Sequence, residues 1–268
     1  MNTRDVFVRT LFALEPYLGD IVLVGGWVHE LYLREGGFQQ QPVRTDDIDF
    51  TLPETLDPAG RPFLLELTKR AGFEPDICGE GGEALRLVQP VGETLLDLDL
   101  ITEGARPHSA AVIAGQDGLI VQAYPGQKIL LENARWIWVG EDVHASLKVP
   151  VKVRVPTVPA YVLHKGLSAT QRTRVDKQAK DYVYEYEILA HPTLGPTAIA
   201  GLADLASRYP DDYRRWRASL EFASAAGGTR RLIAEHLVES NIASIGSPQE
   251  VEAKIAARFS RALRDSPP

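Results

Sequence analysis

Residues 21–50, IVLVGGWVHELYLREGGFQQQPVRTDDIDF, constrain the fold of this chain more than any other stretch. Ile21, Val22, Leu23 and Val24 form an apolar run with the length of a buried strand, and Gly25-Gly26 closes it with a tight turn. A short helix is predicted from about Trp27 to Arg34, then a polar loop on the turn chemistry of GGFQQQP, then a second strand carrying Asp47 and Asp49. Side chains two residues apart on a strand share one face of the sheet. Two carboxylates held that way repel each other unless a positive charge lies between them. A divalent cation such as magnesium suits that position, since it takes oxygen ligands and keeps room for water and phosphate.

A second acidic strand is predicted at residues 94–102, TLLDLDLIT. Leu96, Leu98 and Leu100 alternate with Asp97 and Asp99, so the leucines face one side and both carboxylates the other. Carboxylates among leucines are awkward in a strand whose only role is structural, although a solvent-facing edge would also accommodate them.

The order of a strand ending in Gly25-Gly26, a helix, a loop and then Arg44-Thr45-Asp46-Asp47-Ile48-Asp49-Phe50 resembles the signature of the nucleotidyltransferase superfamily with the polymerase-beta-like fold. Within it, the chain is most similar to the AbiEii-type, toxin-like branch. The resemblance covers residues 20–102, with a weaker patch at 159–189. It implies transfer of a nucleoside monophosphate from a nucleoside triphosphate to an acceptor hydroxyl. Asp47 and Asp49 would then hold magnesium, in a two-metal site completed by Asp99, which also acts on the acceptor hydroxyl; Asp97 is the alternative third carboxylate. The amides of Gly25 and Gly26 and the helix that follows would receive the triphosphate, where many relatives use Gly-Ser. Arg44 is expected either to contact phosphate or to pair within the acidic cluster.

The second patch matches in the order Lys165, then Arg172 or Arg174, then Lys180-Asp181. Relatives continue to a second aspartate three residues on, where this chain has Tyr184 followed by Glu185. The lysines also have a physical case of their own. Four basic and two acidic residues lie between Arg172 and Asp181 in a chain of net charge −7, and a leaving pyrophosphate gathers negative charge in the transition state. Lys165 and Lys180 are therefore assigned to phosphate, against the plainer reading of a solvated helix face with a Lys177–Asp181 pair.

The fold expected is α/β, a nucleotidyltransferase-like mixed sheet with flanking helices over residues 1–156, followed by a mainly helical region over 157–268 beginning near Pro156–Pro159. Residues 3–18 and 61–71 read as packing helices. The glycines at 79, 81 and 82 suggest a hairpin. The alternation of 136–155 predicts strands that continue the sheet, with Trp136 and Trp138 in the core rather than forming a base-stacking platform. His29 is expected to be packed, not a ligand, and Glu30–Arg34 a helix-surface pair.

The net charge of −7 argues against a broad, non-specific grip on nucleic acid and leaves room for a local basic groove. Cys78 is the single cysteine, which excludes an internal disulfide and a thiolate metal site. No apolar run reaches the ~18 residues of a membrane span and the N-terminus lacks a signal-peptide core, so the chain is expected to be cytoplasmic and not membrane-bound. The partners implied are a nucleoside triphosphate, an RNA or protein acceptor and an antitoxin. A small, cationic, aminoglycoside-type acceptor is the alternative the acidic charge favours, and a non-catalytic nucleotide-binding partner protein is the alternative outside enzymes.

Overall fold

The computed structural model describes residues 2–37, 45, 47–76, 84–141, 143–144, 147–225, 227–239 and 246–268. The described residues within 1–28 and 45–156 form one compact unit, and those within 29–44 and 157–268 form another. The hairpin expected around residues 79–82 lies outside the described residues.

The first unit opens with α1 (Thr3–Leu14), capped by a reciprocal pair in which the Asp5 amide donates to Asn2 Oδ1 and the Asn2 amide to Asp5 Oδ2. Val6, Phe7, Leu11 and Leu14 form its buried face, and Phe7 stacks on Trp27 with ring centroids 4.0 Å apart. Then follow β1 (Val22–Val24), α2 (Gly25–Glu35), β2 (Asp47–Leu52) and α3 (Leu64–Arg70). Helix α3 starts later than the apolar spacing suggests, with Phe63 as an extended N-cap, φ −60° and ψ 149°. The unit continues with β3 (Glu74–Asp76), β4 (Arg86–Val91), β5 (Thr94–Glu103), β6 (Ser109–Val112), β7 (Ile120–Tyr124), α4 (Gln127–Glu132), β8 (Ala134–Val139) and β9 (Val151–Pro156).

Seven of these strands make one mixed sheet, ordered β1-β2-β5-β4-β3, with β7 pairing the far end of β5 and β6 pairing β7. The β2–β5 and β5–β7 pairs are parallel and the others antiparallel. Strand β5 is the pivot, and its leucines are the reason: Leu96, Leu98 and Leu100 are buried while the residues between them are half-exposed.

The β8–β9 pair corrects the sequence expectation. These strands form a separate two-stranded ribbon and do not extend the large sheet. Val139, Val151, Val153 and Val155 supply its buried face, so the indoles are not needed there and stand outside, Trp136 45% and Trp138 65% exposed. The valine face of β9 is the one that packs against β1 and α4.

The second unit takes up α2 from His29 and contains α5 (Val158–Gln171), α6 (Val175–Ala190), α7 (Leu194–Arg208), α8 (Pro210–Ala225), α9 (Gly227–Glu239) and α10 (Pro248–Asp265). Close helix packing is set by small residues: a Cβ on Gly166 would sit 2.5 Å from Trp216 Cδ1. Gly227 and Gly228 open α9. Ser247 caps α10 and accepts from the Glu250 amide at 3.4 Å, with Pro248 in the first turn. Among the described residues, no helix is long and apolar enough to cross a membrane.

Candidate active site

Strand register assembles the acidic face. Antiparallel pairing sets Val24 opposite Asp49, so the end of β1 runs beside that carboxylate. Parallel pairing sets Asp47 opposite Asp97 and Asp49 opposite Asp99. Because alternate residues share a face, the four aspartates lie on one side of two adjacent strands, half-exposed, while Ile48, Phe50, Leu98 and Leu100 are buried on the other.

The two glycines make room for this arrangement. Gly25 has φ +72°, and a Cβ there would collide with the Asp49 carboxylate. At Gly26 a Cβ would fall 2.5 Å from Thr45 Cβ and 2.7 Å from its hydroxyl. The glycines belong to the helix itself, which begins at Gly25 and not at Trp27. Asp49 therefore lies at a helix N-terminus, where partial positive charge favours an anion. The Thr45 hydroxyl in turn lies 3.4 Å from both the amide and the carbonyl oxygen of Asp47, steadying the entry to β2. Arg44 and Asp46 lie outside the described residues.

Asp97 and Asp99 have different surroundings. Arg86 on β4 holds Asp97 with its Nη2 at 2.8 Å from both carboxylate oxygens and its Nε at 3.2 Å from one. Asp76 adds a second, longer contact to that guanidinium at 3.9 Å. Asp99 has crowded acidic neighbours instead. Desolvation, then the charges of Asp49, Asp47 and Asp97, push its carboxyl up to about 8, against a smaller opposing pull from Arg86. Arg86 was not singled out in the sequence. The signal for it was present: β4 and β5 form a hairpin around Gly92, and Arg86 lies diagonally across from Asp97 on the same face.

The two lysines assigned to phosphate lie in the helical unit, whereas the carboxylates lie in the sheet unit. Lys165 is 5% exposed and its Nζ donates to Asp181 Oδ1 at 2.7 Å. Arg172 Nε and Ser168 Oγ both reach Asp181 Oδ2, at 3.0 and 3.1 Å. Burial alone would raise the Asp181 carboxyl, but Lys165 and Arg172 outweigh it and hold the group well below the usual carboxylate range. Asp181 is thus satisfied by Lys165, Arg172 and Ser168, with Tyr184 three residues on. Lys180 is half-buried, its Nζ 5.8 Å from the Tyr184 ring centroid.

Two further buried acids in that unit escaped the sequence reading. Glu185 accepts from Trp216 Nε1 at 2.6 Å, and burial raises its carboxyl to about 8. Glu187 meets His29 Nε2 at 2.6 Å, which accounts for His29 as a packed residue. The Glu30–Arg34 helix pair forms at 2.9 Å.

A family model described as nucleotidyltransferase matches residues 6–192. Among solved structures, the chain is similar to an antigenic nucleotidyltransferase-like protein from Paracoccidioides brasiliensis, at 17% identity, covering 80% of this chain and 92% of that one, with a TM-score of 0.37. No curated protein matches. Since the family match spans well over half of its length, the chain belongs to the nucleotidyltransferase family.

Proposed function

We propose that the protein transfers a nucleoside monophosphate from a nucleoside triphosphate to an acceptor hydroxyl, with magnesium held by Asp47, Asp49 and Asp99. The observation that carries this is the crowding of carboxylates on the β2–β5 face, where Asp47 pairs with Asp97 and Asp49 with Asp99, and where desolvation and then the neighbouring carboxylates push the Asp99 carboxyl up to about 8. A divalent cation relieves such repulsion. Among the described residues, no group of three or more His, Cys, Asp or Glu forms a ready metal cage. Magnesium does not require one, since it binds through one or two carboxylates together with substrate phosphates.

When bound, magnesium would neutralise phosphate charge and favour ionisation of the acceptor hydroxyl. The chain's own residues do the remainder. The N-terminus of α2 at Gly25-Gly26 would favour the triphosphate charge, and Asp99 takes the acceptor proton as the hydroxyl oxygen bonds to the α-phosphorus and the bond to pyrophosphate breaks. Asp97, tied to Arg86, positions that guanidinium beside the cluster. Within the helical unit, Lys165 fixes Asp181 and, through it, Arg172; the phosphate role rests on Lys180. The AbiEii-type resemblance extends the reading to a cytoplasmic toxin whose acceptor is RNA or protein and which a cognate antitoxin would bind.

The test is incubation with magnesium and each α-labelled nucleoside triphosphate in the presence of cell RNA, cell protein and small cationic acceptors. Label in one fraction, lost with Asp49→Asn and reduced at least about 100-fold with Asp99→Asn, supports the reading. Magnesium-dependent triphosphate binding with no transfer to any fraction would establish the non-catalytic alternative.

A further inference from the structure

The outer face of the β8–β9 ribbon carries the two exposed indoles. Trp136 and Trp138 are 45% and 65% exposed, whereas the other two tryptophans, Trp27 and Trp216, are 2% and 0% exposed. Cross-strand register puts Lys152 opposite Trp138 and Arg154 opposite Trp136 on that same face. The Lys152 ammonium lies 5.1 Å from the Trp136 ring centroid and 5.6 Å from that of Trp138, and it meets no carboxylate among the described residues. The Arg154 guanidinium donates to the carbonyls of Gly19 and Leu131, which keeps its charge uncompensated by an acid there. This is a locally cationic, aromatic surface on a chain of net charge −7.

We propose that this face binds single-stranded RNA, with unpaired bases stacked on Trp136 and Trp138 and a phosphate at Lys152. Aromatic rings with a face open to solvent accept any base, and interleaved cations track the backbone. The positive charge selects an anionic partner, and the flat indoles select one with exposed π faces; an unpaired RNA strand has both. A lipid surface would call for a larger basic cluster than these two side chains. RNA also offers the terminal hydroxyl that nucleotidyl transfer requires, so as an acceptor-binding surface the face rests on the function proposed above, while binding itself does not.

The experiment is titration of the full chain with a short unstructured oligoribonucleotide, read by quenching of tryptophan fluorescence and by anisotropy of a labelled strand. The matching duplex, the DNA strand, heparin and anionic phospholipid vesicles run as comparisons. Trp138→Ala is expected to weaken RNA binding about tenfold or more, and Trp138→Phe to keep most of it. Lys152→Gln should shallow the slope of log affinity against log salt by about 0.7, the share of one phosphate. Because both indoles are outside the core, unchanged thermal unfolding of each variant confirms that the fold is intact. Equal affinity in Trp136→Ala, Trp138→Ala and the parent, a preference for duplex, DNA or heparin, or partition into vesicles without RNA binding, would each overturn the proposal. Asp49→Asn separates the two readings: RNA binding kept while transfer is lost supports both, and RNA binding with no transfer to RNA, protein or small acceptors in the parent leaves the platform standing and removes the transferase.

Discussion

Asp181→Asn tests the electrostatic reading of the helical unit most directly. The substitution keeps the shape of the side chain and removes the charge that Lys165 meets at 2.7 Å. At that distance, with an effective dielectric constant of about 20, the gross attraction is about 6 kcal/mol. Most of it offsets the desolvation of a Lys165 side chain that is only 7% exposed. Removing one partner leaves a buried, uncompensated ammonium, at a cost of about 3–5 kcal/mol. For a chain of this size that corresponds to a fall in Tm of roughly 10 °C, measured by calorimetry or by circular dichroism at pH 7. Adding Lys165→Met to the variant should recover much of the loss, because the stranded charge is gone, and a double-mutant cycle should give a coupling above about 1 kcal/mol. The sign with pH also follows. The folded-state pKa of Asp181 is depressed, so the unfolded chain binds the proton first below about 3.8, and the parent loses this stability as pH falls further; the D181N variant does not. A loss under about 1 kcal/mol, or strict additivity with Lys165→Met, would refute the argument.

Glu185→Gln should act in the opposite sense. The Glu185 carboxyl is raised to about 8 from 4.5, so the parent loses stability as pH rises across that interval, by on the order of 5 kcal/mol in total. The amide keeps the acceptor for Trp216, so the variant should match the parent near pH 4.5 and exceed it increasingly up to pH 8 in denaturant titrations; parallel pH profiles would contradict this. Gly25→Ala should cost more than Gly92→Ala. Both have positive φ, +72° and +66°, and share a strain of about 1–2 kcal/mol, but only at Gly25 does the new Cβ meet the Asp49 carboxylate, whereas nothing lies within 4 Å at Gly92. Equal losses in thermal unfolding would show that Asp49 does not press on that turn.

Much of the fold is legible in short-range pattern. The period of two in Leu96, Leu98 and Leu100 foretells β5 and which side its aspartates take, because alternation alone sorts side chains between faces. The glycine pair foretells a close approach, though not that Asp49 is what approaches. The indoles show the limit of pattern: alternation says that one face of a ribbon is apolar, and both the valines and the tryptophans qualify. Packing against β1 and α4 chose the valines. Arg86, Glu185 and Glu187 went unseen because each is defined by a partner distant in sequence or across a strand pair.

What the sequence determined by itself was the inventory and its local order: a strand closed by glycines, two strands with alternating carboxylates, and a helical second half rich in lysine and arginine near residue 175. Those properties depend on neighbours a few residues apart, where backbone geometry fixes which side chains share a face. Only the tertiary structure decided that Asp49 stands beside Asp99, that Arg86 claims Asp97, and that Lys165 is engaged by Asp181. Register between strands and contacts between helices set those pairings, and electrostatic energy depends on distance in space, which the order of residues does not contain.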